Sequence, residues 1–413
     1  MALRAHARML AVSASILFGS LAAGCSGAAP SAGEDISLAD EAVTDVNHSS
    51  VKRQSIGNCW VYATVGWAES LNKTAAGVEQ NYSESYVTFW SWYDRLTTGQ
   101  VTGSELSTGG SFGYGTTLLG KYGLVSEGDF IAEEATVEMS ARQKAALTYI
   151  NESLKNGKLK TSTARKNRAT VKAELVAAWK LAPAVVAKLD ALFGADLSKN
   201  LTQTSSGKPV VSTAGSIVKR PSEVAAQYST GPGKTPTKTT LAAAIDSWRV
   251  AYYPSTSSSR RSFQQRIQRA LHDAQPVIVS WTVDFNALDA QGAFRGIPAT
   301  PGHQGGHLTM LDDYEITNVP GYGTLPAGKL ETRKAALDAA LSTSATIKFF
   351  RTKNSWGVSR ADRAFAAPGH NDLYMDYMNG PIQRCEEKAD GSPDLTNCSP
   401  ETPFDNVVLP PGY

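Results

Sequence analysis

A chain of 413 residues with 42% hydrophobic and 8% aromatic content carries enough apolar side chain for a sizeable buried core, and its length points to two or three domains. That composition excludes a disordered polymer, and 40 basic against 38 acidic residues, a formal charge of +2, provide no basic surface for nucleic acid.

The chain opens with MALRAHARMLAVSASILFGSLAAGCSG, in which Arg4 and Arg8 precede an apolar run and then small residues, the layout of an export signal. The apolar run is too short, and too rich in Ala, Ser and Gly, for a comfortable membrane span. Residues Leu21 to Cys25 resemble the lipobox of bacterial lipoproteins. The resemblance implies removal of residues 1–24, acylation of Cys25 and anchoring in a bacterial cell envelope, at the outer membrane or cell surface if the cell is Gram-negative. The alternative is an ordinary signal peptide cut at a neighbouring alanine. Cleavage after residue 24 deletes two arginines and no acidic residue, so the mature chain is formally neutral. Residues 25–48 are small, polar and acidic, and read as a tether; a coil of ~22 residues has a reach of about 25 Å.

From Asn58 to Leu71 the apolar positions Trp60, Val61, Val65, Trp67, Ala68 and Leu71 nearly encircle a helix, which predicts a buried helix with Cys59 in its first turn. Residues 80–96, and the stretch to Leu124 that follows a glycine-rich loop starting at Ser107, predict two more, making a helical lobe of 49–125. Residues 140–157, 169–182 and 183–194 are rich in Ala and Lys, stopped by Gly157, broken at Pro183 and ended at Gly194. They read as a helical insertion over 126–245, through which the chain could oligomerise. In 246–413, a helix carrying Phe263, Ile267, Ala270 and Leu271 on one face leads into short runs at 275–285, 305–316 and 345–357, which predict an antiparallel sheet or barrel.

After processing, Cys59, Cys385 and Cys398 remain besides Cys25. In an oxidising compartment Cys385 and Cys398 could close a loop worth about 3 kcal/mol in the chain-entropy picture, leaving Cys59 as the free thiol. Taken alone, Cys59 is as readily a small core hydrophobe, His307 a satisfied core histidine, and Asn354 and Trp356 turn and core residues. His303 and His307 in HQGGH have a metal-like spacing, with Asp312 and Asp313 nearby. The two glycines between the histidines spoil the helix on which such a pair would share a face, so no metal or other cofactor is expected.

Taken together, Gln54 with GNCW at 57–60, GG at 109–110, GGH at 305–307 and NSWG at 354–357 resemble, in the same chain order, the papain-like cysteine peptidases. The resemblance covers about residues 50–125 and 260–360. It implies a two-lobed α+β fold with a large helical insertion and a cleft between a helical lobe and a β-rich lobe. It also implies Cys59 as nucleophile, His307 as its imidazole partner, Asn354 as the orienter of that ring and Gln54 as an oxyanion donor. Gly109 and Gly110 would admit a substrate backbone, and Trp356 would shield the His307–Asn354 bond. The chemistry needs these types: a thiol at a helix start is favoured as thiolate by the macrodipole and by an adjacent imidazolium, and a neutral amide orients the ring without cancelling its charge.

Two departures stand out. Gln54 precedes Cys59 by one residue fewer than is usual, and 247 residues separate Cys59 from His307. The nearer resemblance is to the bleomycin hydrolase and aminopeptidase C branch, with a helical subdomain inserted here and a KYGLV-like stretch, matched by Lys121 to Val125. In that branch a C-terminal tail enters the cleft; here FDNVVLPPGY is expected to begin such a tail but to stay a stiff spur at Pro410 and Pro411, too short to block it. The implied activity is thiol-dependent hydrolysis of protein or peptide substrates, as an endopeptidase. The alternatives are an aminopeptidase restricted by its tail, acyl transfer to an amine with the same triad, and a surface binding module without activity.

Overall fold

The computed structural model describes residues 43, 44, 46–388 and 390–413, so the export segment, Cys25 and most of the tether lie outside the described residues. The fold is α+β: helices gathered in the first part of the chain pack against a sheet built from the second.

Helix α1 (Cys59–Ala76) is the axis of the molecule. Its apolar residues point in all directions, and Trp60, Val61, Val65, Trp67 and Leu71 are all fully buried, as an all-round apolar pattern requires. It ends at Gly77, whose φ of 72° lets its N–H turn back to the Lys73 carbonyl. Around α1 stand α2 (Glu84–Thr97) and α3 (Phe112–Tyr122), started by Ser83 and Ser111, whose hydroxyls accept the N–H of Tyr86 and Tyr114. Then follow α4 (Ala141–Lys155), α5 (Arg168–Trp179) and α6 (Pro183–Phe193), the last entered through a proline at its first position. These later helices share one hydrophobic core with α1 to α3. Trp179 packs on Trp92 at 5.1 Å, and Phe193 meets Trp90, itself stacked on Tyr122 at 3.8 Å. The physical reason is that short amphipathic helices cannot bury a stripe alone and must lay it on a neighbour.

Helix α7 (Ser257–His272) covers the other side of the sheet. Besides two small two-stranded sheets within residues 204–240, the strands of the main sheet and of the C-terminal hairpin are, in chain order, β1 (Arg249–Tyr252), β2 (Val277–Asp284), β3 (Ala293–Phe294), β4 (Gln304–Val319), β5 (Gly323–Leu325), β6 (Thr346–Lys353), β7 (His370–Tyr374), β8 (Ile382–Glu387), β9 (Pro393–Glu401) and β10 (Phe404–Leu409). The main sheet runs β1-β10-β2-β4-β6-β7-β3, with β5 paired to β4. Of the sheet or barrel expected it is an open sheet, antiparallel except for the short parallel pair β7 and β3. Its alternation serves two cores: Ile278, Leu308 and Met310 face α1, while Val277, Val279 and Leu311 face α7.

The expectation for the last residues is also corrected. FDNVVL is an interior strand, β10, between β1 and β2, with Val407 buried in one core and Val408 in the other. A run of β-branched residues buried on both faces is stable only inside a sheet. Tyr413 then packs on the far side, its hydroxyl donating to the Gly231 carbonyl at 3.1 Å. The segment that does approach the cleft is the β8–β9 hairpin, where Cys385 and Cys398 face each other across the ladder and are joined as a disulfide.

Candidate active site

Two neighbouring elements bring the histidine and asparagine together. In the β4–β6 ladder Lys353 lies opposite Met310. Continuing that register by one residue sets Asn354 opposite Thr309, one same-face step from His307. His307 Nε2 and Asn354 Oδ1 are 2.8 Å apart. The asparagine amide is held from three sides: its Nδ2 donates to Asn371 Oδ1 at 2.8 Å, and its Oδ1 also accepts the Ser355 N–H at 2.7 Å. Asn371 is fixed in turn by donating to the Gly292 carbonyl at 2.6 Å. With Oδ1 thus fixed as acceptor, Nε2 of His307 must carry the proton, and the lone pair of the neutral ring lies on Nδ1.

The imidazole is clamped by aromatic rings. Trp356 stacks on it with ring centres 4.9 Å apart, Trp281 meets it edge-on at 5.6 Å, and Phe285 covers Trp356 from outside. Burial holds the His307 pKa down at about 4, against the hydrogen bond to Asn354, which raises it.

Cys59 is the free cysteine among the described residues and sits in the first turn of α1. Asn58 leaves that turn without a side-chain cap: its Nδ2 donates to Thr88 Oγ1 at 2.9 Å and to Gln143 Oε1 at 3.1 Å, and its buried Oδ1 accepts no hydrogen bond among the described residues. Cys59 and His307 line one cleft of about 840 Å3. Among the described residues the hydrogen-bond partner of the His307 ring is Asn354, and no hydrogen bond joins the ring to the Cys59 sulfur. Burial pushes the Cys59 thiol up to about 11, while backbone hydrogen bonds from Leu308, Trp60 and Cys59 itself pull it down. Burial thus acts against the expected thiolate–imidazolium pair, favouring the neutral form of each group.

Gln54 reaches the same cleft despite its shortened spacing. Its N–H donates to the Ser355 carbonyl at 2.9 Å, and its Oε1 accepts the Ser355 hydroxyl at 2.6 Å. One hydrogen of Nε2 goes to the Ile56 carbonyl at 2.9 Å, which leaves the second for a ligand. Ser355 thus links the glutamine to the asparagine, a link that the sequence signals only by adjacency to Asn354.

Gly109 and Gly110 lie exposed on the loop before α3, outside the lining of the cleft. A Cβ on Gly110 would come within 2.4 Å of the Trp60 ring, whose Nε1 donates to the Thr108 carbonyl at 2.8 Å, so this glycine has a packing reason of its own. A Cβ on Gly109 would meet only Ser107 Oγ, at 3.9 Å, and the Gly109 carbonyl accepts a hydrogen bond from the Arg95 guanidinium. The histidine spacing weighed for a metal resolves into other contacts. Asp312 meets His48 and His370, and Asp313 accepts the N–H groups of Val43, Tyr314 and Gly328.

Sequence reasoning missed Asn371, Ser355, Trp281 and the β8–β9 hairpin. Each is brought to the site by strand pairing, and none stands near a recognisable motif except Ser355.

No protein-family model matches the chain, and no curated protein matches it. Among solved structures it is similar to PepW from Lactobacillus rhamnosis HN001, at 12% identity and a TM-score of 0.43 over 89% of this chain and 81% of that one. It is similar also to the bromelain protease from Ananas comosus solved with the E64 inhibitor, at 12% identity and a TM-score of 0.32 over 89% and 95% of the two chains. A third is xylellain, a cysteine protease from Xylella fastidiosa, at 10% identity and a TM-score of 0.33 over 94% and 97%. At these identities and scores the functional reading has to stand on the residues of this chain.

Proposed function

We propose that the protein is a thiol peptidase that hydrolyses peptide bonds through an acyl-enzyme. The observation that carries this reading is the His307–Asn354 couple, sealed by Trp356, on the wall of a cleft that also holds Cys59 at the start of α1. In this reading Cys59 Sγ attacks the substrate carbonyl as its proton moves to Nδ1 of His307, the ring nitrogen that carries the lone pair. The oxyanion takes the free hydrogen of Gln54 Nε2 and the backbone N–H of Cys59 at the helix start. His307 then protonates the leaving amine, and water hydrolyses the thioester with the same imidazole as base. Burial of the two groups, which favours their neutral forms, suits transfer of the proton together with attack.

Cleavage within chains is supported by the position of residues 404–413, none of which lines the cleft. Gly109 and Gly110 extend the substrate path beside Trp60 in this reading, and the Lys121 to Val125 stretch favours the bleomycin hydrolase branch. Export and lipid anchoring through Cys25 complete it and lie outside the described residues; Cys25→Ala should move the protein from the membrane to the soluble fraction.

The deciding experiment is a peptide-library digest by the purified mature chain, with Cys59→Ser as control. Internal cleavage of doubly blocked peptides by the wild type, abolished in Cys59→Ser, is the expected result. Stepwise trimming of free N-termini alone would reverse the endopeptidase assignment, and product formation that needs an added amine would favour acyl transfer.

A further inference from the structure

The cleft is lined by Val283, Phe285 and Trp356 and also by residues of the β8–β9 hairpin. The hairpin is held in place. Gln304, at the start of β4, donates to the Gln383 carbonyl at 2.7 Å and accepts the Cys385 N–H at 2.9 Å, and the Cys385–Cys398 disulfide closes the ladder one pair beyond Arg384 and Ser399. Arg384 lies between those two anchored backbone groups and lines the cleft.

Among the described residues its guanidinium makes no hydrogen bond and no ion pair. Nη1 is buried and has no hydrogen-bond partner among the described residues. Among the described residues no carboxylate pairs with it: Asp284 accepts from Asn286, Gly302 and Gln304, and Glu401, two residues along the strand from the Ser399 that faces Arg384, accepts the Thr282 hydroxyl. Glu386 and Glu387 also line the cleft but are exposed and nearer the hairpin tip. A guanidinium fork that is partly stripped of water and unpaired is a receptor for a planar anion.

We propose that Arg384 is a specificity-determining residue that receives a carboxylate of the bound peptide, either an Asp or Glu side chain or a free C-terminus. The proposal rests on the peptidase reading above. Gln304, which fixes the backbone on either side of Arg384, stands three residues before His307, about 10 Å along an extended strand. A peptide lying along that strand rises about 3.3 Å per residue, so the carboxylate belongs about three residues from the bond that is cut.

The test compares peptides that differ only in Glu against Gln, scanned through the four positions on each side of one cleavage site, and in C-terminal acid against amide at matched lengths. One placement of the carboxylate should raise kcat/KM about tenfold over its neutral partner, through KM. A preference at an internal position identifies the side chain as the source, and one confined to the acid over the amide identifies the C-terminus. In Arg384→Met the ratio should fall to about one, and in Arg384→Lys part of it should survive, a pattern that a general loss of folding would not produce. A ratio near one throughout the wild-type scan, or one unchanged in Arg384→Met, overturns the proposal. Equilibrium binding of the same peptides to the Cys59→Ser chain separates this from the peptidase reading. If no peptide is hydrolysed, that reading fails, while tighter binding of the acidic peptide, lost on adding Arg384→Met, still assigns the subsite, and equal binding removes it.

Discussion

Asn371 Oδ1 lies 2.8 Å from Asn354 Nδ2 and thereby decides which end of the Asn354 amide faces His307. A flipped amide would set a donor against Nε2, and the proton would have to move to Nδ1, the nitrogen that must accept the proton of the thiol. Asn371 is a positioning residue in this sense, acting through Asn354.

Replacing it should therefore affect turnover more than binding. Asn371→Leu is expected to lower kcat about tenfold with little change in KM, whereas Asn371→Asp, which keeps the acceptor for Asn354 but loses the donor to the Gly292 carbonyl, should retain part of the activity. Steady-state kinetics on one peptide checks both. Equal losses in the two variants would show that the side chain serves only to fill space.

The resting protonation of the site has a signature in alkylation rates. A thiol raised to about 11 stays protonated across the neutral range, so the reactive thiolate is about one part in 10,000 at pH 7 and increases about tenfold per pH unit. Iodoacetamide labelling of Cys59 in the ligand-free protein should accordingly climb from pH 6 to above pH 9. A flat rate between pH 5 and 8 would reveal a standing thiolate–imidazolium pair, in line with the expectation from the helix N-terminus alone.

Gln54 and Ser355 should behave as a coupled pair. Gln54→Ala removes a donor aimed at the developing oxyanion and is expected to cost about 10²–10³ in kcat. Ser355→Ala leaves the amide in place but unanchored at Oε1, for a loss of about tenfold, and the double variant should be no worse than Gln54→Ala. Additive losses in the double variant would mean that Ser355 acts independently of the glutamine.

The two adjacent glycines should part company. Gly110→Ala forces a methyl into the Trp60 ring and is expected to destabilise the fold by about 1–3 kcal/mol, measured by denaturant unfolding. Gly109→Ala meets open space and should change stability by less than about 0.5 kcal/mol. A loss of peptide cleavage in Gly109→Ala at unchanged stability would mark that position as part of the substrate path, while unaltered cleavage would remove it.

By itself, the sequence determined what depends on local pattern. The apolar circumference from Trp60 to Leu71 could only be a buried helix, and the stop at Gly157, the break at Pro183 and the alternation of 305–316 follow from short-range sterics and hydrogen bonding. The four separated motifs made Gln54, Cys59, His307 and Asn354 candidates because that chemistry constrains residue type. Tertiary structure alone decided what depends on pairing and solvent. FDNVVL carries no label saying which strands will flank it, and its interior position follows from the two cores that Val407 and Val408 complete. Asn371 came to Asn354 through the register of β6 and β7, and Arg384 came to the cleft through Gln304, both fixed by contacts tens of residues distant in sequence. The protonation of Cys59 and His307 likewise follows from how much water the folded walls exclude, a quantity that no spacing of residues encodes.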